Sequence, residues 1–432
     1  MKKIILYSLT ALAALQSVGQ GILHLDDAIN IALKNSLDIH IAKNRLESNT
    51  ILNNYGVAGG LPLVTASIND NEQVTNVNQK LNTGVDIQRN GATANNLNAG
   101  VTGSILLFNG FRVISTKKRL EELEKQSQQQ LNSQVQNIIG AVQTAYYDII
   151  RQQSYIQTIN SSIDISRKKL EIVQTRQSVG LANNADLFQS QLDLNASLQA
   201  YAGQQLVIDL AKTALLRLLD LRTDSLVYIQ DTILVDRSLS LASVLNNLDK
   251  NPDILAAQEQ VRINQQIVKE TASQRYPSVR GNAGYNFINN KTAAGQLLLN
   301  QSYGPFVGLN VTIPIYNGSA YRRQQKVAEI NVNTAEMQKD ILLRDYRSDI
   351  VKTYESYANS LKQLETEQQN YKIAAQLVDL VLQRFQLRQA TIIDLKNAQQ
   401  SFEESGYRLV NLNYAAKFAE IELKRVSNQL TL

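Results

Sequence analysis

Residues Val307-Gly308-Leu309-Asn310-Val311-Thr312-Ile313-Pro314-Ile315-Tyr316-Asn317-Gly318 decide the fold. The first seven alternate, with Val307, Leu309, Val311 and Ile313 on one side and Gly308, Asn310 and Thr312 on the other. That is a strand with one apolar and one neutral-polar face. Pro314 ends it, Asn317-Gly318 turns the chain, and no proline occurs from there to the C-terminus. A strand that turns directly into a long stretch without helix breakers is the unit from which the rest follows.

Three other windows alternate in the same way. Val64, Ala66 and Ile68 alternate with Thr65, Ser67 and Asn69, and Leu97, Ala99, Val101, Gly103 and Ile105 with their neutral neighbours. Val279, Gly281, Ala283, Tyr285 and Phe287 alternate with Ser278, Arg280, Asn282, Gly284 and Asn286. Strands of about ten residues with one apolar face are those of an outer-membrane barrel. Alternation alone leaves an ordinary two-sheet sandwich open. Strands are expected at about 62–72, 96–108, 277–288 and 303–314, with Tyr285, Phe287, Tyr303 and Phe306 as a candidate aromatic girdle.

Between these windows the chain is free to be helical. From Leu120 to Val173 a seam of alternating three- and four-residue steps runs through Leu131, Ile138, Val142, Ile149, Ile156 and Ile163, and Tyr354, Leu361, Leu364, Val378 and Phe385 repeat it downstream. A period of 3.5 sustained for seven heptads implies coiled-coil packing, and a helix over the whole breaker-free stretch from about Phe111 to Gln177 is about 100 Å long. Each seam breaks briefly and resumes, giving helical hairpins over about 110–219 and 318–430.

The halves superpose. At an offset of 208, Asn109-Gly110 meets Asn317-Gly318, Tyr146 meets Tyr354, Arg176 meets Arg384, Asp186-Leu187 meets Asp394-Leu395 and Gln191 meets Gln399. Upstream the offset is 215, where Pro62 meets Pro277. The organisation is therefore a first repeat over 20–220, a linking segment over 221–251 and a second repeat over 252–432. Each repeat reads strand, strand, long helix, return helix. Four strands cannot close a barrel, and open edges in lipid leave backbone groups unpaired at several kcal/mol each. Three copies give twelve strands and a lumen able to carry solute.

Composition excludes several other functions. The chain has 43 Lys+Arg and 38 Asp+Glu, and no basic stripe with interleaved aromatics of the kind nucleic acid requires. There is no cysteine, and His24 and His40 are the only histidines, so Cys-ligated metals and histidine acid–base chemistry have no material. No phosphate-binding Gly-Lys-Ser/Thr loop is present. Neither a cofactor nor a metal is expected, nor is catalysis. The 43 Gln and 41 Asn outnumber the 81 charged residues, so wetted surfaces avoid strong charge. Residues 1–19 are expected to be a secretory signal: Lys2 and Lys3, the apolar stretch Ile4–Leu15, then Ser17-Val18-Gly19.

With Leu61-Pro62, Tyr276-Pro277, Leu107-Phe108-Asn109-Gly110, Pro314–Gly318 and the duplicated tip from Arg176 to Asp186-Leu187, the chain resembles the TolC family of outer membrane efflux proteins from Leu25 to Leu430. The resemblance implies an α+β membrane protein of two tandem strand-strand-helix-helix repeats. Its homotrimer would form a twelve-stranded barrel in outer-membrane lipid and a long α-helical barrel across the periplasm. The implied function is a passive channel-tunnel of a tripartite efflux or type I secretion system in a Gram-negative cell. A periplasmic adaptor and an inner-membrane pump of RND or ABC type would be its partners. A periplasmic coiled-coil adaptor is the alternative, although adaptors usually carry one hairpin and this chain has two.

The resemblance also places residues. Asp394 falls where the family has an acidic ring at the periplasmic entrance, with Asn397 where a second acid often stands; Asp186 lies on the other hairpin. Read locally, Thr391-Ile392-Ile393-Asp394 is a capping box, and Asn183 with Asp186 has the same cap pattern. Gly180 is expected as a left-handed helix terminus. In the family this tip, with Leu181, contacts the adaptor. Arg388 is the corresponding adaptor-contact position of the second tip, where Arg388-Gln389-Ala390 has no glycine, which argues against symmetric docking.

Overall fold

A computed structural model describes residues 22–430. The expected signal segment lies outside them. The elements are α1 (Leu25–Asn35), α2 (Leu37–Leu52), β1 (Leu63–Lys80), β2 (Asp86–Phe108), α3 (Arg112–Ser178), α4 (Asn184–Leu218), α5 (Leu241–Asn246), α6 (Pro252–Ser273), β3 (Ser278–Thr292), β4 (Leu299–Thr312), α7 (Ala320–Gln386) and α8 (Ile392–Val426). Among the described residues no helix is long and apolar enough to cross a membrane.

The duplication reaches the backbone itself. α3 and α7 each have 67 residues, α4 and α8 each have 35, and all four pairs of bounds differ by 208. Left-handed residues fall in the same pairs: Gly110 with Gly318 (both φ 65°), Phe111 with Ser319 (63° and 61°), Gly180 with Arg388 (76° and 63°), and Asp220 with Asn428 (52° and 55°). The offset legible from Asn109 to Gln191 thus extends to the ends of the return helices.

Packing does not follow the repeats. One compact unit comprises residues 44–129 and 255–341, the other 22–43, 130–254 and 342–430, so each draws on both halves of the sequence.

The first unit holds a single antiparallel sheet in the order β1-β2-β3-β4. Its register aligns the alternation of all four strands. Ile68 lies beside Ala99, Phe287 and Tyr303; Ala66 beside Val101, Tyr285 and Pro305; and Val64 beside Gly103, Ala283 and Val307. Ile105, Gly281 and Leu309 continue the same face, as do Val279 and Val311. Paired residues share a face, so these five rows make one apolar band about 26 Å along the strands. At the usual tilt it is about 20 Å tall, close to the ~25 Å of outer-membrane barrels. Val307 is 87% exposed and Leu309 72%, so no described residue of the same copy covers them. The opposite face runs through neutral rows such as Asn71, Asn96, Asn290 and Asn300.

β1 and β2 have 18 and 23 residues, well beyond the ten or so expected. Their outer parts, rich in Asn, Gln and Thr, keep the ladder but lack an apolar period, as suits strands wetted on both faces. The aromatic girdle also needs correction. Phe287, Tyr303 and Tyr285 share the apolar face, but Phe306 pairs with Gly284 on the polar face. Its ring covers that glycine so closely that an added Cβ would lie 2.8 Å away.

The second unit is built on α3, α4, α7 and α8, with α1, α5 and the linking segment packed against them. Tyr146, fully buried, places its hydroxyl 3.0 Å from the Leu23 carbonyl and 2.6 Å from the Asp231 carboxylate. Tyr357 donates to the carbonyl of Asp236. Two anchoring tyrosines thus hold the linking segment to α3 and α7. α4 flanks α3 through Gln204 and Gln152 (2.9 Å), α3 meets α8 through Ser166 and Gln399 (3.1 Å), and α8 meets α7 through Ser405 and Glu367 (2.5 Å). The lateral order is α4-α3-α8-α7.

With the apolar band facing lipid, Val307→Lys in its middle row or Leu309→Lys beside it costs about 2–4 kcal/mol per strand near the midplane. Recovery of folded protein from the outer-membrane fraction then falls sharply for both, while Ser302→Lys on the opposite face leaves it unchanged. Loss confined to Ser302→Lys would reverse the faces, and equal recovery of all three would mean that neither face meets lipid.

Candidate functional site

The helical tips gather every site residue that the sequence singles out. At the first tip the Gly180 amide donates to the Gln177 carbonyl (2.9 Å) and the Leu181 amide to the Arg176 carbonyl (2.7 Å). These bonds with a left-handed Gly180 form a Schellman terminus. The second tip repeats it: Arg388 donates to Phe385 (3.1 Å), Gln389 donates to Arg384 (2.8 Å), and Arg388 is the left-handed residue. The missing glycine therefore changes the side chain and leaves the turn intact. For a residue with a Cβ, that conformation costs about 1–2 kcal/mol. Val179, Leu181, Leu387 and Ile393 stand exposed around the two turns.

The return helices begin as expected. Asn183 accepts the Asp186 amide at 2.8 Å. Thr391 and Asp394 form a complete capping box: the Asp394 amide donates to the Thr391 hydroxyl (3.1 Å), and the Thr391 amide and hydroxyl both donate to the Asp394 carboxylate (2.8 Å each). These bonds hold the exposed carboxyl below its ordinary pKa, with Arg384 adding to the effect. A carboxyl whose pKa is lowered by folding stabilises the helix start fully above the unfolded value of about 4. That contribution is lost as pH falls through the lower folded value. Asn397 stands one turn on, exposed like Asp394. Asp186 is half-buried at its own cap.

Sequence reasoning missed how the tips are tied together. Arg176 and Arg384 are repeat mates with different tasks. Arg176 crosses to the other hairpin, donates to the Phe385 carbonyl and lies 4.4 Å from the centre of the Phe385 ring. There it meets carbonyls at the C-terminus of α7, where a cation is favoured. Burial lowers its pKa and Arg388 lowers it further, against Asp186. Arg384 instead returns to the Gln389 carbonyl of its own turn at 3.1 Å. Higher up, the fully buried Lys169 of α3 donates to Asp193 of α4 at 2.5 Å. Burial alone would raise Asp193, but hydrogen bonds from Lys169 and Gln189, with the charges of Lys169 and Lys396, hold it below the ordinary carboxylate value. The lysine sits beside the Ser166–Leu170 step of the seam, and nothing in its spacing distinguishes it from a solvated one.

Among the described residues no group of histidines and acids is arranged to hold a metal. The Nε2 of His40 is 3.1 Å from the Lys34 carbonyl, and His24 makes no side-chain cap.

A four-stranded sheet with one apolar face, continued by paired 67- and 35-residue helices, defines an outer-membrane channel subunit. The model of the outer membrane efflux protein family matches residues 28–220 and 245–429, and the chain belongs to that family. It is 23% identical over 345 residues to outer membrane protein TolC of Vibrio cholerae, covering 78% of this chain and 77% of the relative. It is 23% identical over 349 residues to toxin and drug export protein A of Aggregatibacter actinomycetemcomitans, covering 76% and 74%. Among solved structures, outer membrane protein VceC of Vibrio cholerae superposes with a TM-score of 0.77 at 19% identity, over 93% of this chain and 95% of that one. The outer-membrane channel OprN superposes at 0.79 with 14% identity, over 94% and 90%. The protein is an outer-membrane efflux channel subunit that extends into the periplasm of a Gram-negative cell.

Swapping the two turn residues gives changes of opposite sign. Arg388→Gly raises stability by about 1 kcal/mol and Gly180→Ala lowers it by about as much. Thermal unfolding of the detergent-extracted protein should show Tm moving up for the first and down for the second.

Proposed function

We propose that three copies close into a passive conduit whose periplasmic end is the paired tips. The observation that carries this reading is the agreement of exposed edges in the two units. The sheet ends in β1 on one side and β4 on the other, both with unpaired backbone. In the helical unit, α4 exposes Phe188, Leu192, Leu206 and Leu210, and α7 exposes Ile373, Leu377 and Leu380. Steps of three, four and fourteen residues make each row half of a coiled-coil seam without a partner among the described residues. A second copy supplies what both lack: α4 meets α7 of the neighbour, and β1 meets its β4. Twelve strands then enclose a water-filled lumen lined by the amide face.

Adaptor and pump dock where the tips expose Val179, Leu181, Leu387 and Ile393, with Gly180 and Arg388 setting the two turns. Energy comes from the pump, of RND or ABC type, and the chain itself performs no catalysis. Four paired strands with an apolar band and the family match favour the channel over a periplasmic adaptor. At the entrance, Asp394 has two roles, capping α8 and presenting one carboxylate per copy to the passing solution, while Asn397 adds no charge. Asp186, half-buried at its own cap, serves the helix start alone.

In planar bilayers, Asp394→Ala should change single-channel conductance and weaken block by a multivalent cation, whereas Asp186→Ala should leave both unchanged. Identical traces for Asp394→Ala and the unaltered channel would leave capping as its only role.

A further inference from the structure

The polar face of the sheet is neutral almost throughout. Through the rows from Leu63 to Gln73 and their partners across β2, β3 and β4, it carries Asn, Gln, Ser, Thr, Gly and a few apolar residues. One position breaks the rule. Arg280 lies on this face, paired between Leu106 and Asn310, and is exposed.

Arg280 opens onto a cavity of about 960 Å³ within the strand-bearing unit, where the sheet gives way to helices. The strand residues that line it, among them Ser104, Ser278 and Thr312, all belong to the polar face. α3 contributes Arg112 and Arg119, seven residues apart on one helix side. Glu270 of α6 is the single acid in the lining, and it is already bound to Arg119 at 2.7 Å. Arg112 and Arg280 have no carboxylate within ion-pair distance among the described residues. Two uncompensated guanidiniums remain, and Tyr276 and Tyr321 also line the cavity.

We infer that this cavity is a lumen-facing anion site, which selects solutes bearing carboxylate, sulfonate or phosphate groups as they enter the barrel. The chemistry is direct. A guanidinium offers planar, paired donors to an oxyanion, keeps its charge at any physiological pH, and tolerates partial burial better than an ammonium. Low-dielectric walls and an otherwise neutral face leave this cationic group unscreened by neighbouring acids, so its field focuses on passing anions. In a closed assembly each copy adds one Arg112–Arg280 pair, forming a positive ring around the water path. The two tyrosine rings suit an anion with an aromatic body. The inference rests on the conduit reading.

The test is the zero-current potential of the purified channel in planar bilayers under a tenfold KCl gradient, with pyrenetetrasulfonate as the probe of block. Arg280→Gln should lower the chloride-to-potassium permeability ratio by about threefold. It should also weaken block by the probe, and Arg112→Gln combined with it should do more. Arg280→Glu should invert the preference. Arg322→Gln on α7, outside the cavity, serves as the control. Channels that conduct normally with the same ratio and the same block in all three cavity variants overturn the inference. A protein that yields no conductance before any substitution overturns the conduit reading instead. Conductance retained in the variants shows that folding is intact.

Discussion

The structure depends on two strand edges that one chain cannot pair. β1 and β4 each end the sheet with a row of free amides and carbonyls. In water such an edge invites aggregation and is merely a hazard; in hydrocarbon each unpaired group costs several kcal/mol. The band formed by Ile68, Val101, Phe287, Val307 and Leu309 commits the sheet to hydrocarbon. The edges therefore have to be paired, and another copy of the same chain has the complementary edge. The exposed rows on α4 and α7 meet the same demand through side chains, where the penalty is uncovered apolar area and not backbone. Copies of the same chain supply both kinds of partner, and a bore results from closure without any residue having been placed to create it.

Duplication explains why so much agrees. Two copies of one unit joined in tandem place a left-handed turn at Gly110 and Gly318, and at Gly180 and Arg388. Backbone geometry persists because each turn must redirect a helix 67 residues long, so a changed turn would misalign everything beyond it. Side chains are freer. Arg176 bridges the hairpins while Arg384 folds back on its own turn, and Arg388 accepts a strained conformation in which the first repeat has glycine. The halves share a frame and differ in chemistry, as two elements taking inequivalent places in one wall must.

Much of this was legible because helix and strand differ in period, and proline and glycine mark the changes. The offset of 208, the alternation in Val307–Ile313 and the capping box at Thr391–Asp394 are local patterns, and the structure keeps them. Three features were not legible, for separate physical reasons. The outer halves of β1 and β2 are wet on both faces, so no apolar period reveals them. Residue type alone groups Phe306 with the girdle, but it stands one residue out of phase with the apolar positions Tyr303 and Pro305, which puts it over Gly284. The Lys169–Asp193 pair and the reach of Arg176 join residues on separate helices, and helical periodicity carries no information about such contacts.

Charge is used sparingly on the polar face of the sheet, and that sparseness has a physical reason. A conduit that binds its cargo tightly retains it, so a lumen of amides and hydroxyls offers hydrogen bonds that water replaces at little net cost. Against such a wall a single guanidinium carries far more weight than it would on an ordinary surface, because no neighbouring acid cancels its field. Arg280 has that setting, and the one carboxylate in its cavity is already engaged by Arg119. A residue retained only for stability would gain from a partner, or from replacement by the Asn and Ser that fill the neighbouring rows. An unpaired arginine kept on a neutral face acts on what flows past it.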